Sequence, residues 1–192
     1  MGEAVENRPG LLKVDRSLLL VVDMQTRLLS VMPTVSANSM LNTAVKLLTA
    51  AALLNVPVLV TEQYPKGLGP TSDMIGGVLP EDAQSFEKTA FSCCGSDNFR
   101  QALAASGRRQ VVVVGQETHV CVLQTAFELL QQGYQVFVVE DAVCSRLDQH
   151  KANALQRMQQ FGVSIVCHES VLFEWLRDAK HTDFKAISAL VR

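Results

Sequence analysis

The sequence predicts an α/β protein in which a mainly parallel, doubly wound sheet of six strands lies between two layers of helices. Two observations support this prediction. Short apolar runs alternate with longer helical patterns along the chain, and several of these runs are apolar at every position. Continuously apolar runs are typical of strands that are covered on both faces. Because crossovers between parallel strands are right-handed, the alternation favours a three-layer α/β/α sandwich.

The predicted strands are short apolar stretches, most of them bounded by polar or turn residues. The first covers residues 18–22 and reads LLLVV before Asp23. Consecutive valines make residues 110–114 the strongest of the set. The other four strands are expected at 58–61, 85–88, 136–139 and 163–166.

The predicted helices carry apolar residues at helical spacing. Gly107, Gly133 and Gly162 follow three of them, as glycine commonly does at a helix end, and Ser170 is expected to cap another. The stretch 64–80 is rich in glycine and proline and is expected to be a loop. The helices are expected at 36–55, 97–106, 119–132, 148–161, 170–178 and 183–191.

Length and composition predict one globular domain over residues 1–192, with its core at about 15–190. The chain has 192 residues, of which 48% are hydrophobic, and no linker or repeat divides it. The net charge is −2, from 17 basic and 19 acidic residues. This balance argues against a nucleic-acid partner. No apolar run is long enough to span a bilayer, which argues against a membrane partner.

The cysteines predict a reducing, cytoplasmic environment. There are five, an odd number, and none forms a CxxC pair. The first ten residues, MGEAVENRPG, resemble neither a secretory signal nor a transit peptide.

Three residues at predicted strand ends form a set suited to nucleophilic catalysis. Asp23 follows the first strand, Lys88 ends the third, and Cys121 lies where the fourth strand leads into a helix. In an open parallel sheet, ligands bind beyond the carboxyl ends of the strands. A helix N-terminus is expected to favour the thiolate of Cys121, Asp23 to accept its proton, and Lys88 to support the carboxylate. Each residue also has a structural alternative, as a loop-capping aspartate, a solvated lysine or a core cysteine.

The chain resembles the cysteine hydrolases of the isochorismatase-like superfamily, a Rossmann-type group. The resemblance runs from about Ser17 to Leu190 and is carried by five motifs in order. Of the branches of that superfamily, the segment TEQYPKGLGPT is most similar to the isochorismatase domain-containing proteins. The motifs are LLLVVDMQ, PVLVTEQYPKGLGPT, FEKTAFSC, VVVVGQETHVCVLQTA and VVEDAVCSR.

The resemblance implies a catalytic Asp–Lys–Cys triad formed by Asp23, Lys88 and Cys121. It also implies a non-proline cis peptide just before the cysteine, which we expect at His119–Val120. The amides of Val120 and Cys121 would then form an oxyanion hole. The implied reaction is hydrolysis of an amide-like C–N bond in a small molecule through a thioester on Cys121.

The pattern departs from the metal-dependent nicotinamidases of the superfamily, which carry an Asp-x-His motif after the second strand. Here that position reads Glu62-Gln63-Tyr64, without histidine. We therefore expect no metal and no other cofactor, and we do not expect nicotinamidase activity. Isochorismatase itself cleaves a vinyl ether without a cysteine nucleophile, so Cys121 argues against that reaction.

Substrate contacts and assembly complete the expectations. Five residues near the predicted triad are candidates to contact substrate. An ester or another activated carbonyl, a non-catalytic binding or assembly role, and a redox role for Cys121 remain alternatives to amide hydrolysis. The family commonly forms oligomers, so we expect a dimer or tetramer, with Phe127, Leu130, Leu172 and Phe173 available to pack between subunits. The candidate substrate contacts are Gln25, Gln63, Tyr64, Phe91 and His119.

Overall fold

The predicted α/β class is confirmed by the arrangement of strands. A computed structural model describes residues 10–192. The N-terminal stretch MGEAVENRPG, which we expected to be neither a secretory signal nor a transit peptide, therefore lies mostly outside the described residues. All six strands of the sheet pair in parallel. Their bounds are β1 Ser17–Val22, β2 Val58–Gln63, β3 Gln84–Lys88, β4 Gln110–Gln116, β5 Gln135–Cys144 and β6 Ser164–Val166.

The order of the strands across the sheet is β3-β2-β1-β4-β5-β6. The chain therefore winds outward in one direction from β1 and in the other from β4. The crevice between the carboxyl ends of β1 and β4 is the switch point at which open α/β sheets bind ligands. Asp23 follows β1 directly, and the segment leading to Cys121 follows β4.

Helices cover both faces of the sheet. In β1, Leu19 and Val21 face one core cluster, whereas Leu18, Leu20 and Val22 face the other. The first cluster is closed mainly by α2 and α8, and the second by α5, α6 and α7. The helices are α1 Thr26–Leu29, α2 Thr34–Leu53, α3 Pro65–Leu68, α4 Asp73–Gly76, α5 Asp97–Ala105, α6 Leu123–Gln131, α7 Asp148–Gln160, α8 His168–Leu176 and α9 Phe184–Ser188.

Several elements differ from the prediction. The stretch 64–80 contains α3 and α4, so it is not wholly a loop. Strand β5 does not stop at residue 139, because the chain shifts register and pairs again with β4 as far as Cys144. Helix α8 begins at His168, before Ser170, because the carboxylate of Asp141 accepts its first N–H at 2.9 Å.

Gly115 was expected to end its strand, but β4 continues through Gln116. Its φ is +121°, and a Cβ atom at this position would lie 2.1 Å from the carbonyl oxygen of Val22. Glycine is therefore required so that β4 can approach β1 at the switch point.

Candidate functional site

The three residues of the predicted triad lie together at the switch point and are almost closed off from solvent. Asp23 has no exposed surface, and Lys88 and Cys121 are each 5% exposed. They come from different parts of the sheet: Asp23 follows β1, Lys88 is the last residue of β3, and Cys121 lies between β4 and α6.

The carboxylate of Asp23 is held by two donors. Lys88 Nζ donates to Oδ2 at 2.6 Å, and the hydroxyl of Thr61 donates to Oδ1 at 2.8 Å. The backbone of Asp23 is left-handed, with φ of 50°, and its carbonyl accepts from Gln116 Nε2 at 3.1 Å. Aspartate tolerates this conformation better than most residues. The backbone turn and the two donors fix the position of the carboxylate.

The ammonium of Lys88 is surrounded by oxygen acceptors. Besides Asp23, it donates to Gln63 Oε1 at 2.7 Å and to the carbonyl of Phe91 at 2.9 Å. Burial by itself lowers the pKa of Lys88, but the charge of Asp23 and the hydrogen bond to it outweigh burial, so the pKa is raised. Lys88 therefore stays positively charged beside Asp23.

Cys121 lies in a π-helical turn, Thr118–Val122, which precedes α6. Such turns are frequent at functional sites. Burial raises the pKa of the Cys121 thiol, and the charge of Asp23 and a hydrogen bond with it raise it further, while Lys88 lowers it. The pKa of the Cys121 thiol is therefore raised in the folded chain, whereas the sequence led us to expect that a helix N-terminus would favour the thiolate.

The cis peptide lies nearer to β4 than expected. Within residues 10–192 it joins Gln116 to Glu117, so the expected position at His119–Val120 is wrong. The reason is that His119 and Val120 already belong to the helical turn. The amide of Val120, expected in the oxyanion hole, donates to the carbonyl of Glu117 at 3.0 Å.

The side chains of Gln25 and Gln63 hydrogen-bond to backbone groups of the segments that surround this site. Gln25 has no exposed surface, its Nε2 donates to the carbonyl oxygens of Gln63 at 3.0 Å and Gly69 at 2.6 Å, and its Oε1 accepts the amide of Gln63 at 2.6 Å. The Gln63 side chain joins Lys88 to the carbonyl of Thr89. These bonds argue against the expected substrate contact for Gln25 and give Gln63 a role in holding Lys88.

Tyr64, Phe91 and His119 lie closer to solvent. Tyr64 and Phe91 are 55% and 54% exposed. Tyr64 also lines a cavity of about 390 Å³ that reaches Lys88. His119 Nδ1 lies 3.0 Å from Ser145 Oγ, and burial lowers its pKa. These three residues are available to contact a ligand.

Glu62 occupies the position at which the metal-dependent nicotinamidases carry the aspartate of their Asp-x-His motif. Its Oε1 accepts both the amide of Thr71, at 2.6 Å, and the hydroxyl of Thr71, at 2.7 Å. This carboxylate therefore anchors the segment after β2. Within residues 10–192, no three His, Cys, Asp or Glu side chains gather closely enough to hold a metal ion.

The structure reveals three polar or thiol groups at the site that sequence reasoning missed. Thr61 and Gln116 are fully buried and contact Asp23, and the Sγ of Cys93 lies 3.5 Å from the hydroxyl of Thr61. A polar residue within or at the end of an otherwise apolar strand was the available signal for Thr61 and Gln116. All five cysteines are free thiols, as predicted.

Comparison with known sequences gives matches over nearly the whole chain. The isochorismatase domain model matches residues 17–170. Isochorismatase domain-containing protein 2 of Danio rerio is 38% identical over 184 residues, which are 95% of this chain and 90% of that protein. The secreted isochorismatase effector Isc1 of Phytophthora sojae is 40% identical over an alignment of 191 positions that covers 96% of this chain and 89% of that protein.

Comparison with solved structures gives the same fold. The MAR1 ribonuclease of Caenorhabditis elegans has a TM-score of 0.89 at 35% identity, covering 95% of this chain and 92% of that chain. The YcaC gene product of Escherichia coli, described as an octameric hydrolase of unknown specificity, has a TM-score of 0.88 at 26% identity, covering 95% and 90%. Both share the three-layer arrangement over almost their full length.

Proposed function

The chain belongs to the isochorismatase family, and we propose that it is a cysteine hydrolase that cleaves an amide-like C–N bond of a small molecule without a metal. One observation carries the proposal: a buried Asp23–Lys88 ion pair of 2.6 Å lies beside the thiol of Cys121, whose pKa is raised by burial, by the charge of Asp23 and by a hydrogen bond with it. A buried charge pair beside a thiol at the ligand-binding edge of the sheet is suited to nucleophilic catalysis.

The first step would be attack by Cys121 with transfer of its proton to Asp23. Because the resting thiol is protonated, the proton must leave as the sulfur attacks the substrate carbon. Asp23 is the hydrogen-bonded acceptor, and Lys88 keeps that carboxylate in place and balances its charge. General base catalysis of this kind contributes typically about 10²–10⁴-fold.

The second step would be collapse of a tetrahedral intermediate. Its oxyanion would accept hydrogen bonds from the amides of Cys121 and Val120. The Val120 amide would then give up its hydrogen bond to the carbonyl of Glu117 and donate to the oxyanion instead. Asp23 would return the proton to the leaving amine, giving a thioester on Cys121. Water, activated by Asp23, would then hydrolyse the thioester and release the acid.

Hydrolysis of an ester or of another activated carbonyl compound would use the same three residues, so these compounds remain the alternative substrate class. A protein that only binds or assembles would have no need of a buried ion pair, whose desolvation is costly. Intact Asp23, Lys88 and Cys121 therefore favour turnover over the binding alternative.

Ribonuclease activity appears in the name of the Caenorhabditis elegans relative, and it is a second candidate. Phosphodiester cleavage requires groups that bind the phosphate and the charge that develops on it. Lys88 is the cationic member of the predicted triad, and its donors are already occupied by Asp23, Gln63 and backbone carbonyls. The geometry of the described residues therefore supports acyl transfer better than phosphodiester cleavage.

Assembly and location also stay proposals. The octameric relative supports the expectation of a homo-oligomer, the dimer or tetramer being our prediction. Phe173 is 38% exposed and available to a partner subunit, whereas Leu172 is buried in the core and is not. No helix within residues 10–192 is long and apolar enough to cross a membrane. Because one relative is a secreted effector by name, a cytoplasmic location stays a prediction.

The proposal is tested by screening small amides and esters for turnover. We expect Cys121→Ala and Asp23→Asn each to reduce turnover by about 10³-fold or more, since both remove a group that acts in the reaction itself. Cys94→Ala is the matched control, because Cys94 is also a buried thiol but interacts with Ser92, Arg100, Glu128 and Gln132 rather than with Asp23 or Lys88 within residues 10–192. Full activity in purified Cys121→Ala would rule out covalent catalysis by this residue.

A further inference from the structure

Thr61 is a buried polar residue that the proposed steps do not use. It lies in β2, has no exposed surface, and contacts two groups of the site at once. Its Oγ1 is 2.8 Å from Asp23 Oδ1 and 3.5 Å from Cys93 Sγ. A hydroxyl offers one donor and two acceptor positions, so it can serve both neighbours.

The direction of these hydrogen bonds follows from the charge of Asp23. An ionised carboxylate paired with Lys88 can only accept, so the Thr61 hydroxyl must donate to it. The oxygen of Thr61 then has lone pairs left for the Cys93 thiol. Burial, followed by the charge of Asp23, raises the pKa of Cys93 to about 12, so Cys93 keeps its proton and donates. The chain of donors therefore runs from Cys93 through Thr61 to Asp23.

We propose that Thr61 is a positioning residue that fixes the plane of the Asp23 carboxylate for proton transfer from Cys121, an inference that rests on the proposed function. A carboxylate turns easily about its last side-chain bond, since that torsion is broad. Lys88 donates to only one carboxylate oxygen of Asp23, Oδ2. Thr61 donates to the other, Oδ1, so the two residues together hold both oxygens. With the plane fixed, a remaining lone pair meets the Cys121 thiol.

The same contacts predict opposite effects for two conservative substitutions. Thr61→Val keeps the shape and methyl group but removes the hydroxyl, so the carboxylate is held on one side only. Thr61→Ser keeps the hydroxyl but removes a buried methyl, which leaves a small void in the core. A residue that only packs would be harmed more by serine, and a residue that positions Asp23 would be harmed more by valine.

The test uses p-nitrophenyl acetate as an acylating probe with the full-length protein. The rate constant for acetylation of Cys121 is followed by p-nitrophenolate release and by intact mass, and stability is followed by thermal unfolding. We expect Thr61→Val to acetylate about tenfold more slowly, in line with loss of one hydrogen bond to a charged group. We expect Thr61→Ser to acetylate at nearly the wild-type rate with a lower unfolding midpoint. Thr61→Ala repeats the comparison with serine if valine does not fold.

Thr125→Val is the matched control. The hydroxyl of Thr125 is also buried and accepts the amide of Cys93 at 2.9 Å, but it has no hydrogen bond to Asp23. We expect this variant to lose stability and to keep the wild-type acetylation rate. A wild-type rate in Thr61→Val, or a serine variant as slow as the valine variant, would overturn the inference alone. A wild-type protein that gains no acetyl group on Cys121 would instead contradict the proposed function.

Discussion

At the scale of single residues, the chemistry of the site depends on the environment of one thiol. Cys121 is buried beside a carboxylate, and both features raise its pKa. The residue therefore differs from reactive thiols that are ionised at rest. Its reactivity should depend on Asp23, which raises the pKa of the thiol and, in the proposed mechanism, is also the base that receives its proton.

Alkylation by iodoacetamide at fixed pH separates these two roles of Asp23. Asp23→Asn removes the charge and the hydrogen bond that raise the pKa of Cys121, so the thiolate fraction and the alkylation rate should rise several-fold while turnover is lost. Lys88→Met removes an interaction that lowers this pKa, so alkylation should slow. The double variant Asp23→Asn/Lys88→Met avoids an unpaired buried charge and controls for folding. Slower alkylation in Asp23→Asn would contradict this account.

Gly115 should be the most sensitive glycine near the site. Gly115→Ala places a Cβ atom 2.1 Å from a backbone oxygen at a φ of +121°, so we expect a loss of at least about 2 kcal/mol in the free energy of unfolding. Gly133→Ala is the control, because its φ is +83° but its Cβ would meet nothing within 4 Å. Its loss should be about 1 kcal/mol. Urea unfolding measures both, and equal losses would show that the approach of β4 to β1 is not the limiting contact.

The sequence predicts which residues end the strands but not what their side chains contact. Asp23 could be found because it follows an apolar run, Lys88 because it ends a predicted short strand, and Cys121 because it lies where a predicted strand leads into a helix. Gln25 and Gln63 were expected to contact substrate, yet their amide groups hold the chain after β1 and β2. Hydrogen-bond partners that lie more than thirty residues apart in the chain, such as Thr61 and Asp23, leave no local pattern to read.

At the scale of elements, apolar runs predicted most of the strands, although β3 reads QSFEK, and contacts between distant segments set several of the strand and helix ends. Strand β5 extends to Cys144 because it pairs again with β4 beyond a register shift. Helix α8 begins at His168 because Asp141 of β5 accepts its first amide. Neither partner is adjacent in sequence, so neither end could be predicted from capping patterns.

Asp141→Ala should loosen the start of α8. The substitution removes the acceptor of the His168 amide at 2.9 Å and the partner of His168 Nδ1 at 2.5 Å. Loss of a helix cap costs typically about 0.5–2 kcal/mol, so we expect faster amide exchange in the first turn of α8. Hydrogen–deuterium exchange of peptides from that turn measures the change. Asp148→Ala, in the first turn of α7, is the control, and unchanged exchange in Asp141→Ala would refute the capping role.

At the scale of the whole molecule, the fold and the family agree with the prediction from sequence. Two directions of winding from β1 and β4 create the crevice, and the predicted triad lies at that crevice. The substrate could not be predicted from the sequence. The substrate preference of the protein depends on side chains around the crevice, and the residues that contact those side chains come from several loops. Tyr64, Phe91 and His119, which we expected to contact substrate, reach solvent or lie near it.

Charge over the whole molecule predicts weak interaction with RNA. The net charge is −2, with 17 basic and 19 acidic residues, so few phosphate contacts and little counterion release are expected. Fluorescence anisotropy with a labelled single-stranded RNA should show no binding that strengthens as salt is lowered. Tight, salt-dependent binding, with cleavage lost in Cys121→Ala, would instead favour the ribonuclease candidate.

The most direct test of the central claim is intact-mass detection of a covalent intermediate on Cys121. The protein is mixed with a turned-over amide or ester, quenched in acid, and digested so that the modified residue can be located. We predict one acyl group per chain, on Cys121, that is absent from Cys121→Ala and unchanged in Cys94→Ala. Turnover without any acyl group on Cys121 would contradict the account.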